Sequence, residues 1–284
     1  MLGEVINGKE IAQELRMEMK HDVSELKQKG YTPHLTVVLI GDHPASMSYV
    51  KGKKKACEET GISSEIIHLP ETTSEKELLH VIDRLNSDKS VHGILVQLPL
   101  PENINERHII EAIDPLKDVD GFNPVNIGKM MTGEDTFLPC TPYGIITMLK
   151  RKNIEIEGKH AVIIGRSNIV GKPVGQLLLN ENATVTYCHS KTINLKAYTQ
   201  AADILVVAIG REHAISKEDI KTGSVVIDVG INRMENGKLT GDVNFDEAQK
   251  KAAYITPVPR GVGPMTITML LKNTIKACIG LENN

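Results

Sequence analysis

Residues 162–173 read VIIGRSNIVGKP. A run of β-branched residues leads to Gly165, then Arg166 and Ser167, then Gly171 and Pro173. A strand, a glycine turn and a helix form the setting in which a helix N-terminus holds phosphate, because its first backbone N–H groups lack intrahelical partners. Gly165 suits the tight turn, Gly171 a close backbone approach, and Pro173 the first helical turn. The pattern falls just short of Gly-x-Gly-x-x-Gly, and strand–helix turns also carry glycines for packing alone. By itself the turn leaves both readings open.

The next strand adds a second feature. NAD-selective enzymes place an Asp or Glu about 20 residues on, at the following strand end, to bind the ribose 2′-hydroxyl. Here residues 186–192 read TYCHSKT, with Ser190 and Lys191 at that place, His189 beside them and no acid. A hydroxyl and cations suit an additional phosphate, and Arg166 offers it a planar fork of donors. The combination points to NADP. A solvated arginine and a polar strand end is the alternative, which must account for both features separately.

Working outward, strands and helices alternate along most of the chain. LTVVLIG (35–41), EIIHLP (65–70) and VHGILVQLPLP (91–101) read as strands. Helical spacing runs from Lys9 to Lys29 with Gly30 beyond it, and again from Pro44 to Gly61. TSEKELLHVIDRLNSD is a helix capped by Thr73 or Ser74, and a short helix follows around 105–113. DPLKDVDGFNPVNIGKMMTGEDTF reads as a turn-rich connection, and TPYGIITMLKRKN (141–153) as a linking helix. The alternation restarts with HAVIIG, a helix over 170–182, TVTYCH, ILVVAIG and VVIDVG. A last helix, MTITMLLKNTIKACIGL, is placed to pack back on the first half. This order predicts two α/β domains with mainly parallel sheets around a cleft, the second a Rossmann-type nucleotide domain. The boundaries expected are 1–140 with 266–284, and 141–265.

Composition narrows the partners. A chain of 284 residues with a formal charge of −3 has no basic surplus for nucleic acid, and aromatics at 3% leave little for base stacking. The longest apolar runs are too short to span a bilayer, and MLGEVINGKE lacks a secretion signature. Four scattered cysteines without a Cys-x-x-Cys pair give no zinc motif and suit a reducing cytoplasm. No metal site is expected.

The first half holds candidates for chemistry. Tyr49 and Lys53 are four residues apart, on one helix face. They offer a ring beside an amine able to relay a proton, if burial lowers its pKa; a solvated stripe with Lys51, Lys54 and Lys55 is the plainer reading. Gln97, Pro99 and Pro101 end a strand at the edge where α/β proteins bind ligands. Asp118 and Asp120 flank a glycine turn, where an acid serves the turn itself or pairs with two N–H donors of a flat heterocycle.

Eight stretches together resemble one family. ASMSYVKGKKKA, GILVQLPLP, KDVDGFNPVNIG, PCTPYGI, GRSNIVGKPV, CHSKT, DVGINR and PVPRGVGPMT occur in the order found in the bifunctional 5,10-methylenetetrahydrofolate dehydrogenase/5,10-methenyltetrahydrofolate cyclohydrolases. The resemblance spans nearly the whole chain. It implies NADP-dependent oxidation of 5,10-methylenetetrahydrofolate and hydrolysis of the methenyl product to 10-formyltetrahydrofolate, with the folate in an interdomain cleft. It implies Lys53 as general acid/base, Tyr49 stacked on the substrate, Gln97 positioning Lys53 and the reacting carbon, and Asp120 on the pterin edge. Pro99, Leu100, Gly263 and Pro264 are implied at the folate. Gly165, Arg166, Ser167, Gly171, Pro173, Ser190 and Ile231 are implied at NADP. A homodimer is implied as well. A dehydrogenase that has lost the hydrolytic step is the alternative function.

One departure stands out. The family's usual Pro-Gly-Gly-Val-Gly-Pro loop is here PRGVGP, with Arg260 for the first glycine. If that position needs positive φ, the arginine costs roughly 1–2 kcal/mol; otherwise its guanidinium is free to alter folate affinity. MENGK (234–238) reads as a hairpin turn.

Overall fold

The computed structural model describes residues 2–282. Along the chain run β1 (Glu4–Val5), α1 (Gly8–Gln28), β2 (His34–Ile40), α2 (Pro44–Thr60), β3 (Ser63–Leu69), α3 (Glu75–Ser87), β4 (Gly93–Val96), α4 (Glu106–Ala112) and α5 (Pro124–Thr132). There follow α6 (Cys140–Arg151), β5 (His160–Ile164), α7 (Gly171–Asn180), β6 (Thr184–Cys188), α8 (Leu195–Thr199), β7 (Ile204–Val207) and β8 (Val225–Asp228). The last elements are β9 (Asn232–Arg233), β10 (Leu239–Thr240), α9 (Phe245–Ala248), β11 (Tyr254–Ile255) and α10 (Val262–Glu282). The fold is α/β, in two compact units. The first comprises Glu14–Cys140 with the chain from Ile267, the second the chain up to Gln13 with Thr141–Thr266.

In the first unit β2 lies between β3 and β4, all parallel. Its sequence, HLTVVLI, is buried almost throughout rather than alternating, as a strand covered on both faces must be. Leu78, Ile82 and Leu85 form the buried stripe of α3, spaced four and three residues apart. They meet Val38, Ile40, Ile94, Val96 and Ile109 in one core, each such side chain contributing about 1.5–3 kcal/mol on burial. Ser74, not Thr73, caps α3: its hydroxyl accepts Glu77 N–H while Glu77 Oε2 accepts Ser74 N–H at 2.8 Å.

Two sequence expectations fail here for identifiable reasons. The strand expected over 91–101 stops at Val96, since Pro99 and Pro101 have no N–H for a ladder. The stretch read as a loose connection contains α5, hidden because its start is a cap: Asn123 accepts Val125 N–H at 2.9 Å and Pro124 opens the first turn.

The second unit carries a six-stranded parallel sheet in the order β1-β11-β8-β7-β5-β6. From β5 the chain goes to β6 on one side, then to β7 and β8 on the other. This is the doubly wound arrangement, whose ligand crevice opens at the carboxyl ends of the strands where the order reverses, here β5 and β7. The residues up to Gln13, expected with the first unit, fall in the second, because β1 pairs with β11. β9 and β10 form the hairpin expected around MENGK.

Between β11 and α10, Arg260 has φ of 82°, the left-handed region that disfavours any residue with a Cβ. The backbone is held there by Lys9 N–H, which donates to the Arg260 carbonyl at 3.0 Å. Arg260→Gly relieves roughly 1–2 kcal/mol of strain and loses about 0.4–1 kcal/mol to the freer unfolded chain. A net gain is expected, read as a higher denaturation midpoint; an unchanged or lower midpoint contradicts the strain.

Candidate active site

Helix α2 starts at the carboxyl edge of β2, with Pro44 in its first turn and Gly61 as a left-handed C-cap. Of its four clustered lysines, Lys51, Lys54 and Lys55 are exposed, whereas Lys53 is only 8% exposed. The solvated-stripe reading therefore fails for Lys53 and holds for the other three. Lys53 Nζ donates to Gln97 Oε1 at 2.9 Å. Gln97 Nε2 donates to the Leu98 carbonyl at 2.6 Å, which fixes the amide and turns its oxygen toward the lysine. Burial pushes the Lys53 amine below the ordinary lysine value, and Asp120, Cys140 and Cys57 hold it back. Tyr49, one turn earlier, leaves 40% of its surface exposed. Its ring is free to meet a partner.

The two acids of KDVDGF separate by role. Asp118 is buried and consumed by the turn: Oδ1 accepts Gly121 N–H at 3.2 Å, and Oδ2 accepts Asn123 N–H and Asn126 Nδ2, both at 2.8 Å. Asp120 makes no such turn bonds and faces Lys53 electrostatically. Burial raises its carboxyl above the usual range; the Lys53 cation and the Cys140 thiol oppose that. Sequence reasoning passed over the two groups that hold this loop. Cys140 places its thiol 3.3 Å from the Val119 carbonyl and beside Asp120. Asn273 of α10 donates to the carbonyls of Val119 at 2.8 Å and Leu138 at 3.0 Å. Cys140 lies in the quoted PCTPYGI stretch; Asn273, distant in sequence, carried no local mark. The first unit thus gathers Tyr49, Lys53, Gln97 and Asp120. Pro99 is exposed just beyond Gln97, while Leu100 packs on the core of that unit.

In the second unit the chain leaves β5 through Gly165, whose φ is 128°. A Cβ there would strike the Ala208 carbonyl, and one on Gly171 would strike Gly165 and the Arg166 nitrogen. Both positions exclude side chains for close approach. Ser167 Oγ accepts Val170 and Gly171 N–H, each at 3.2 Å, at the start of α7. Pro173 is buried within the first turn of that helix. Ile164 pairs with Cys188, so Arg166 and Ser190 each stand two residues beyond one rung of the sheet. Both are exposed. The turn bearing Ser190 and Lys191 is braced by His189 Nδ1, which accepts Lys191 N–H at 3.1 Å, and by Thr192 Oγ1, which accepts His189 N–H at 2.8 Å. Ile231 is 49% exposed after β8, and Gly263 and Pro264 open α10, half-buried. No cluster of three or more metal-ligating side chains occurs among the described residues.

The residues of this unit fit a phosphorylated dinucleotide: a cradle without side chains, a helix N-terminus, and free cations where NAD enzymes keep an acid. With a buried lysine bonded to an amide in its companion, the fold and site define a nicotinamide-dependent dehydrogenase of two α/β units. Residues 139–280 match the family model described as tetrahydrofolate dehydrogenase/cyclohydrolase, NAD(P)-binding domain, and residues 6–120 that of the catalytic domain. The chain belongs to the tetrahydrofolate dehydrogenase/cyclohydrolase family. It is 70% identical over 279 residues to the bifunctional protein FolD of Oceanobacillus iheyensis, covering 98% of each. It resembles the crystal structure of the bifunctional FolD enzyme of Campylobacter jejuni at 52% identity and a TM-score of 0.96, over 97% of this chain and 98% of that one. The Trypanosoma brucei FolD structure, complexed with NADP and an inhibitor, matches over the full length of both chains at 38% identity and a TM-score of 0.95.

Because the Asp120 charge holds the Lys53 amine up, Asp120→Asn lowers it further. The limb of the pH–rate profile that reports Lys53 losing its proton is then expected to move to lower pH. A limb that stays or moves upward contradicts the pairing. On the coenzyme side, Arg166→Ala is expected to raise the Michaelis constant for NADP about tenfold, the worth of a charged hydrogen bond, and to leave that for NAD nearly unchanged. Equal losses for both coenzymes contradict recognition of the additional phosphate.

Proposed function

We propose that this protein oxidises 5,10-methylenetetrahydrofolate with NADP and hydrolyses the 5,10-methenyl product to 10-formyltetrahydrofolate. Membership of this family, and the bifunctional relatives to which the chain is similar, support both steps. NADP, when bound, supplies the hydride acceptor for the first. The observation that carries the second is the buried Lys53 amine fixed on Gln97.

Hydrolysis needs a base that oxidation does not. Water's oxygen bonds to the methenyl carbon as the neutral Lys53 amine takes one of its protons. Return of that proton to a ring nitrogen opens the carbon–nitrogen bond, and loss of the remaining hydroxyl proton leaves the formyl group. One water is consumed and one proton released overall. An ordinary lysine is almost wholly protonated near neutral pH; burial shifts Lys53 in the direction that frees its amine to accept the first proton. The Lys53 pocket therefore favours the bifunctional reading over a dehydrogenase without the hydrolytic step.

The remaining roles are those the family resemblance implies. Gln97 holds the amine and the reacting carbon in register, Tyr49 offers its face to the folate ring, and Asp120 takes N–H donors of the pterin. Pro99, Leu100, Gly263 and Pro264 border the folate. Gly165, Ser167, Gly171, Pro173 and Ile231 line NADP, with Arg166 and Ser190 on the 2′-phosphate. The first unit is proposed as the folate-binding catalytic domain and the second as the NADP domain. A cytoplasmic homodimer is proposed on the resemblance, and the four free, buried cysteines suit that compartment. Among the described residues no helix is long and apolar enough to cross a membrane.

With methylenetetrahydrofolate and NADP supplied together, NADPH and methenyl absorbance can be followed separately. The parent protein is expected to form NADPH while the methenyl species passes on to product. Lys53→Met is expected to lose about 10²–10⁴-fold in hydrolysis. A parent that reduces NADP and leaves the methenyl species to decay at its uncatalysed rate establishes the monofunctional alternative.

A further inference from the structure

The crevice at the carboxyl ends of β5 and β7 has two walls. One is the Gly165 turn. The other is Ile209–Gly210–Arg211, the loop that leaves β7, and the two come so close that the Ala208 carbonyl fills the place of a Gly165 side chain. This second wall has no regular structure of its own. Its amides converge on one carboxylate. Asp242 Oδ2 accepts Ile209 N–H at 2.7 Å and Gly210 N–H at 3.0 Å, and Oδ1 accepts Arg211 N–H at 2.7 Å. Oδ1 also accepts Asn232 Nδ2 at 2.9 Å, which ties in the loop after β8 next to Ile231. Asp242 is wholly buried.

A second carboxylate places the first. Asp228, the last residue of β8, accepts Asp242 N–H and Gly230 N–H on Oδ1, both at 3.0 Å, and Val243 N–H on Oδ2 at 2.9 Å. Two buried acids in series thus join the ends of β7 and β8. Among the described residues neither faces a lysine or arginine in a salt bridge; the hydrogen bonds to their carboxylates come from backbone amides and one side-chain amide. An anion that takes donors from an irregular loop replaces the hydrogen bonds a strand or helix would have supplied.

We propose that Asp242 is a positioning residue for the dinucleotide, holding the Ile209–Arg211 wall and the Ile231–Asn232 segment at the start of β9 in their binding conformation before the coenzyme arrives. Preorganisation of this kind removes an ordering cost from the binding step. The proposal rests on the reading of the second unit as an NADP domain. Asp242→Asn keeps the shape but turns an N–H₂ group toward backbone donors, so the loop loosens and NADP must order it.

Calorimetric titration with NADP alone, and separately with a folate substrate, tests this on the parent, Asp242→Asn and Asn232→Ala, with thermal unfolding followed on the same samples. Asp242→Asn is expected to weaken NADP binding about tenfold, one charged hydrogen bond's worth, and Asn232→Ala by a few-fold, while folate affinity changes less in both. A purely structural aspartate would lower the unfolding midpoint and leave the NADP affinity of the folded protein as in the parent, which overturns the proposal. Should Asp242→Asn fail to fold, Asn232→Ala decides on the same criterion. A parent that binds no NADP overturns the nucleotide-domain reading along with it; a parent that binds with variants of equal affinity overturns the positioning role alone.

Discussion

Taking a lysine out of water costs several kcal/mol unless it is paired, or gives up its proton. Lys53 stands at that boundary. It is almost fully buried, bonded to the Gln97 amide and faced by Asp120. The amide accepts from the ammonium, the carboxylate stabilises its charge, and burial works against both. Burial and its two partners thus act on the lysine's proton in opposite directions, the balance on which the proposed proton relay rests. Much of the first unit can be understood as holding that balance. Asp118 and Asn273 fix the loop that presents Asp120, and the amide of Gln97 is locked by its own neighbour's carbonyl.

Both units put their candidate site groups at the same kind of place. Gln97 follows β4, Gly165 follows β5, Ser190 follows β6, and the Ile209–Arg211 loop follows β7. Parallel strands covered on both faces leave only their ends open to a ligand, and the loops there are free to vary while the sheet stays fixed. The price is irregular backbone near a site that needs order. In each unit a buried acid with several N–H donors meets it: Asp118 in the first, Asp242 in the second.

The sequence carried the parts of this that depend on local pattern. Buried runs such as HLTVVLI and ILVV marked the strands, the glycine turn marked the nucleotide edge, and the i, i+4 spacing of Tyr49 and Lys53 placed them together. What it concealed depends on distant partners. β1 is two residues long and owes its existence to β11, some 250 positions later, so no periodicity could assign it to the second unit. The helix α5 was masked by its own Asn-Pro start, which reads as a turn. Asp118 and Asp120 are indistinguishable until Asn123 and Asn126 are seen to claim one of them. The strain at Arg260 was conditional on a dihedral angle that only the fold supplies.

The proposed hydrolysis turns on one proton, that of the Lys53 amine. Nuclear magnetic resonance titration of the Lys53 side chain in the free parent protein, assigned by the signal missing from Lys53→Met, measures it directly. A midpoint below the ordinary lysine value of 10.5 is expected; a midpoint at or above it would contradict a buried, proton-relaying amine and leave the hydrolytic step without its base.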